Sequence, residues 1–101
     1  MVKEPVERLK EKILKENLWI FLFKLLEKND RYAYELRSKV KEEFGFWTGE
    51  VTSYKVLYLL EKDGYVESYI DKRRKYYRLT EKGLNQLRKA KEFLRTLYSS
   101  L

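Results

Sequence analysis

The chain has 101 residues, 44% hydrophobic and 39% charged, with a formal net charge of +7, which fits one domain with a modest core and a polyanionic partner. It holds neither Cys nor His, which excludes disulfides, thiol and imidazole catalysis and most zinc sites. The longest apolar run, residues 18–23, is far below the roughly 20 residues that cross a bilayer, and the charged start is unlike a signal peptide. A cytoplasmic protein with no membrane partner is expected.

Pro5 stands where a first helical turn tolerates its missing N–H. Val6, Leu9 and Ile13 then recur at helical spacing, so a short amphipathic helix is expected up to residue 16. Residues 17–28 are apolar almost all round, from Leu18 and Trp19 to Leu25 and Leu26. A helix of that kind needs cover on more than one side, and in so small a chain part of it can come from a second subunit. Asn29-Asp30 reads as a turn and cap. The helix expected after it directs Tyr32, Leu36 and Val40 inward and Arg37, Lys39 and Lys41 outward.

Gly45 and Gly49 bracket a loop carrying Phe46, Trp47 and Thr48. A helix over residues 50–63 follows and stops at Gly64. At 100° per residue, Ser53, Val56, Leu57 and Leu60 share one side, with Tyr54 at its edge. Val51, Lys55, Tyr58 and Lys62 share the other. Such a helix is either an ordinary solvated one or a recognition helix with Thr52, Ser53, Tyr54, Lys55 and Tyr58 toward DNA.

Beyond Gly64 the period shortens to two. Val66, Ser68 and Ile70 alternate with Glu67 and Tyr69, and a polar tip precedes a Tyr-rich second strand over residues 75–79. This is a β-hairpin pattern. Its consecutive Lys72, Arg73, Arg74 and Lys75 suit a solvated turn, or a wing lying along a phosphate backbone. The wing reading gains from the helix that comes just before. Thr80 caps a last helix whose Leu84, Leu87, Leu94, Leu97 and Leu101 form a seam for helix packing and dimerisation.

The order of four helices, a hairpin and a helix is an α+β, mostly α arrangement, a winged helix-turn-helix with flanking N- and C-terminal dimerisation helices. A single domain over 1–101 is expected, with an N-terminal helix over 1–16, a winged-helix core over 17–79 and a dimerisation helix over 80–101. No phosphate loop, nucleophile motif or metal-ligand spacing occurs, so neither an enzyme nor a cofactor is expected. Lys and Glu are abundant while Asn and Gln are scarce, a bias known from hot environments.

Three segments carry a resemblance. They are Tyr32-Ala33-Tyr34-Glu35-Leu36, the run from Tyr54 to Glu67 containing Leu60-Glu61-Lys62-Asp63-Gly64-Tyr65-Val66, and the run from Asp71 to Gly83 containing Arg73-Arg74-Lys75-Tyr76-Tyr77-Arg78-Leu79-Thr80-Glu81-Lys82-Gly83. Together they resemble the PadR family of transcription regulators, from about Trp19 to the C-terminus. The resemblance implies a homodimeric winged-helix repressor acting on double-stranded DNA, in a compact branch with one C-terminal helix. Ala33 replaces the family's usual Gly, Lys55 its usual Pro, and Val51-Thr52-Ser53 its Gly-Thr-Leu. The DNA sequence read by the family therefore does not transfer. Some members answer to phenolic acids or drugs, but no Trp stands in the last helix here, and a small-molecule effector stays open. Two other readings remain, a winged helix that binds only protein, and an RNA or single-strand binder that uses its tyrosines.

Overall fold

The computed structural model describes residues 4–101. The elements are α1 (Pro5–Glu16), α2 (Leu18–Lys28), β1 (Arg31–Tyr32), α3 (Ala33–Phe44), α4 (Glu50–Lys62), β2 (Val66–Asp71), β3 (Arg74–Leu79) and α5 (Glu81–Ser100). Every expected helix and strand is present. Residues 1–3 of the expected N-terminal helix lie outside the described residues.

Apolar all-round α2 is the axle of the molecule. It packs against α3, α4, α5 and β3, and its Leu18, Leu22, Phe23, Leu25 and Leu26 are buried. Leu36 and Val40 of α3, Leu57 of α4, Val66 and Tyr77 of the sheet, and Leu87 of α5 complete the core. The 3.6-residue period of each surrounding helix turns one stripe toward α2 and leaves the opposite face free.

The sheet differs from expectation. It has three antiparallel strands in the order β1-β3-β2, because Arg31 and Tyr32 pair with Tyr77 and Tyr76. Tyr32 is thus a strand residue and the N-cap of α3, and makes no side-chain cap bond. Of the turn and cap read at Asn29-Asp30, Asn29 is the C-cap of α2, but neither residue caps α3, and the Asp30 carboxylate is engaged by Tyr69 and Arg78.

Two close approaches fix the ends of the hairpin. Thr80 Oγ1 accepts from the Gly83 amide at 3.1 Å, and its hydroxyl lies 2.7 Å from the Gly64 carbonyl and 2.9 Å from that of Tyr65. A Cβ on Gly83 would collide with the Tyr65 carbonyl and the Leu79 side chain. The Thr-Glu-Lys-Gly run is therefore a helix cap and a backbone crossing in one. It seats α5 directly on the root of the hairpin.

α1 buries no residue. With α2 and the outer half of α5 it borders an open apolar groove of about 620 Å³, lined by residues such as Leu9, Ile13, Ile20, Phe93, Leu94 and Leu97. Among the described residues, no helix is long and apolar enough to cross a membrane.

Candidate nucleic-acid interface

α3, the loop over residues 45–49 and α4 form the helix-turn-helix. α3 ends at Gly45, whose φ of 78° is the left-handed turn that glycine adopts without strain. The loop is anchored from beneath by Phe21, whose ring lies 4.8 Å from that of Phe44 and 5.3 Å from that of Phe46. Ser53 closes the entry to α4. It is 1% exposed, and its hydroxyl lies 2.9 Å from the Gly49 carbonyl and 3.3 Å from Thr48 Oγ1. The expected DNA contact at Ser53 is therefore corrected. Its hydroxyl is spent inside the protein, on the inward side that helical periodicity assigned to it.

The other expected residues of α4 are outside. Thr52, Tyr54, Lys55 and Tyr58 are exposed, and so are Val51 and Leu59. A large part of this helix surface is apolar or aromatic, unusual for a merely solvated face.

β2 and β3 make the wing. Val66 pairs with Leu79 at its root and Asp71 with Arg74 at its tip. Only Lys72 and Arg73 form the turn, with φ of 48° and 67°. A two-residue hairpin with both φ positive is the type I′ pattern, normally Asn-Gly. Each non-glycine residue there costs on the order of 1 kcal/mol. The tip thus holds two cationic side chains at a conformational cost.

Alternation along the strands divides the basic residues between faces. On the outer face the Tyr76 ring stacks on Tyr69, with centroids 5.7 Å apart, and meets Tyr32 edge-on at 5.6 Å. Arg74 lies over Tyr32 at 4.5 Å and Arg78 over Tyr69 at 4.9 Å. The Tyr69 hydroxyl donates to Asp30 at 2.7 Å. That bond to a carboxylate, aided by desolvation, pushes the Tyr69 pKa up. Arg78 bonds Glu67 and Asp30, at 3.3 and 3.4 Å, and its pKa is raised in turn, Glu67 first.

On the inner face Glu61 of α4 accepts from the Ser68 hydroxyl and pairs with Lys75 at 3.5 Å. Lys75 also lies 5.5 Å from the Tyr77 ring. Tyr77 is buried, which raises its pKa. The wing is thereby tied to α4 by Glu61 and to the start of α3 by Asp30. Lys72 and Arg73 project freely, Arg74 rests on an aromatic ring, and Lys75 is engaged by a carboxylate. Sequence reasoning had placed these four together and had no signal for the two carboxylate ties. Their partners lie 14 residues away for Glu61–Lys75 and 39 for Asp30–Tyr69.

The three elements meet at a cleft of about 370 Å³, lined by Tyr32, Ala33 and Tyr34 at the start of α3, Tyr54 of α4, and Arg74, Lys75 and Tyr77 of the wing. The first-turn amides of α3 lack a side-chain cap, and Arg74 and Lys75 line the same cleft as the start of that helix. An anionic oxygen is favoured at such a place. Base stacking on Tyr76 or Tyr77 is disfavoured, because one ring already stacks on Tyr69 and meets Tyr32 edge-on and the other is in the core.

The expected dimerisation residues divide along α5. Leu87, 1% exposed, belongs to the protomer's own core, which corrects its assignment to the seam. Leu84 is half-buried, while Leu94, Leu97 and Leu101 are exposed along with Phe93 and Tyr98. Among the described residues, no group of acidic residues could hold a metal.

Known proteins share this architecture. A transcriptional regulator from Clostridium thermocellum superimposes with a TM-score of 0.79 at 26% identity, over 88% of this chain and 93% of its own. A PadR-like transcriptional regulator from Bacillus cereus gives 0.78 at 27% identity, over 88% and 91%. A PadR family transcription regulator from Clostridium difficile gives 0.76 at 31% identity, over 81% and 91%. No curated protein matches the chain. The profile of the transcriptional regulator PadR-like family matches residues 22–89, from α2 through the wing into α5. With a winged helix-turn-helix fold and a family match over most of its length, the chain belongs to the PadR-like family of transcriptional regulators, DNA-binding regulators and not enzymes.

Proposed function

We propose that this regulator is a homodimeric, sequence-specific repressor that binds double-stranded DNA through α4 and the wing. The observation that carries the reading is the convergence of Tyr54 of α4, the start of α3 and the basic wing on one cleft. α4 enters the major groove, where Thr52, Tyr54, Lys55 and Tyr58 meet base edges and neighbouring phosphates. Lys72 and Arg73 hold the backbone from the wing tip, and a phosphate seats in the cleft beside Arg74, Lys75 and Tyr54. A repressor needs no further activity, since occupying a promoter is enough to block it.

The open apolar groove supports the dimer. Its lining from α1, α2 and α5 is the surface that a second copy would bury, and a groove this apolar is a liability on a monomer. Two-fold symmetry then calls for a pseudo-palindromic site with half-sites about 34–36 Å apart, or a multiple of that.

Fluorescence anisotropy tests this on two labelled duplexes, the region upstream of the protein's own gene and a scrambled copy, at several salt concentrations. Tight binding to the upstream duplex alone at about 0.15 M salt is expected of a specific autoregulator, against non-specific Kd values of about 10⁻⁴–10⁻⁶ M. Equal, steeply salt-dependent binding to both would mean a general DNA binder or an operator elsewhere. Silence on both at low salt would leave a winged helix that binds only protein.

A further inference from the structure

Val51 is the second residue of α4 and is 82% exposed. It lines neither the cleft between helix and wing nor the apolar groove along α5, and none of the described residues covers it. A β-branched residue is a poor choice at an exposed helical position, and no packing within the chain offsets that cost. The first turn of a recognition helix lies nearest the base edges, so the surface that can cover Val51 is the floor of the major groove. An isopropyl side chain neither donates nor accepts a hydrogen bond. Of the groups displayed there, only the thymine C5-methyl is apolar.

Resting on the DNA-binding reading above, we infer that Val51 is a specificity-determining residue that recognises a thymine methyl in each half-site. Helical geometry also places its neighbour. Lys55 lies one turn further on the same exposed face, about 6 Å along the helix axis, close enough to meet a base or phosphate neighbouring that thymine. Thr52, beside Val51 on the same turn and also exposed, supplies the hydrogen-bonding partner that Val51 lacks.

The test begins with selection of bound duplexes from a random pool by the wild-type protein, followed by replacement of each selected thymine, one at a time, by deoxyuridine, which lacks only the methyl. One thymine per half-site should prove sensitive, weakening wild-type binding about fourfold (about 0.8 kcal/mol, one buried methyl-sized group). Val51→Ala should bind the thymine and deoxyuridine duplexes with nearly equal affinity, while Val51→Thr, which keeps the branched shape and one methyl, should retain part of the difference. Alanine is the better helix former, so a melting temperature no lower than that of the wild type separates lost recognition from lost folding. A selected motif in which every thymine tolerates deoxyuridine would overturn the inference and leave the DNA-binding reading standing. The same holds if Val51→Ala stays as methyl-sensitive as the wild type. Binding with no selected motif at all would overturn both this inference and the sequence-specific part of the reading it rests on.

Discussion

The turn at Lys72 and Arg73 pits stability against binding within two residues. Both have positive φ, and Lys72→Asn with Arg73→Gly would supply the residues that a type I′ turn favours. The double variant is expected to gain about 1–2 kcal/mol in denaturant unfolding. It should also bind DNA more weakly, with the slope of log K against log salt reduced by about 0.9 for each phosphate contact removed. Tyr77 sets a limit at high pH. Burial raises its pKa above the ordinary 10.0, so the folded state holds the proton more tightly than the unfolded chain. The stability that follows is complete below about pH 10 and is lost as pH rises through the folded value. Melting temperatures recorded from about pH 8 to 11 should fall less steeply for Tyr77→Phe than for the wild type. Ser53 shows how sequence reading erred at this scale. Its hydroxyl and its place near the start of a recognition helix pointed to a base contact, while its angle on the helical wheel pointed inward. The angle decided, because a hydroxyl can satisfy itself on the Gly49 carbonyl of the preceding turn.

The helices and the hairpin were legible because each carries its own period. α2 is apolar all round, α4 is two-sided, and the hairpin alternates until Thr80 caps the next helix. β1 was not, because two residues have no period, and Arg31-Tyr32 is a strand only through its pairing with β3. The Asp30 and Glu61 ties were hidden for the same reason, since they join segments that the sequence keeps apart. Gly83 is legible as part of a motif, but its necessity appears only where α5 crosses the Tyr65 carbonyl. Gly83→Ala forces a Cβ into backbone that cannot yield. A loss of about 1–3 kcal/mol is expected, seen as a fall in Tm of roughly 5 °C or more. The loss should be accompanied by disturbance at the root of the wing.

On the scale of the molecule, the apolar rows of α1 and α5 are left exposed by the described residues. Leu94→Glu combined with Leu97→Glu places two carboxylates in the groove, where burial against a second copy would be costly. Sedimentation velocity at micromolar concentration should show a dimer for the wild type and a monomer for this variant. Affinity for a full palindromic site should collapse, while that for an isolated half-site changes little. A wild type that sediments as a monomer would remove the dimer from the proposal. The pinning of the wing has a consequence on this scale as well. Glu61 joins the wing to α4, and Asp30 and the short β1 pairing join it to α3, so the surfaces proposed to meet DNA are held to one another. A rigid reader cannot bend to meet an imperfect groove, so misfit is absorbed by the duplex. Base pairs the protein never touches then matter through their stiffness, and pyrimidine–purine steps such as TA and CA, which kink easily, should be favoured between the half-sites.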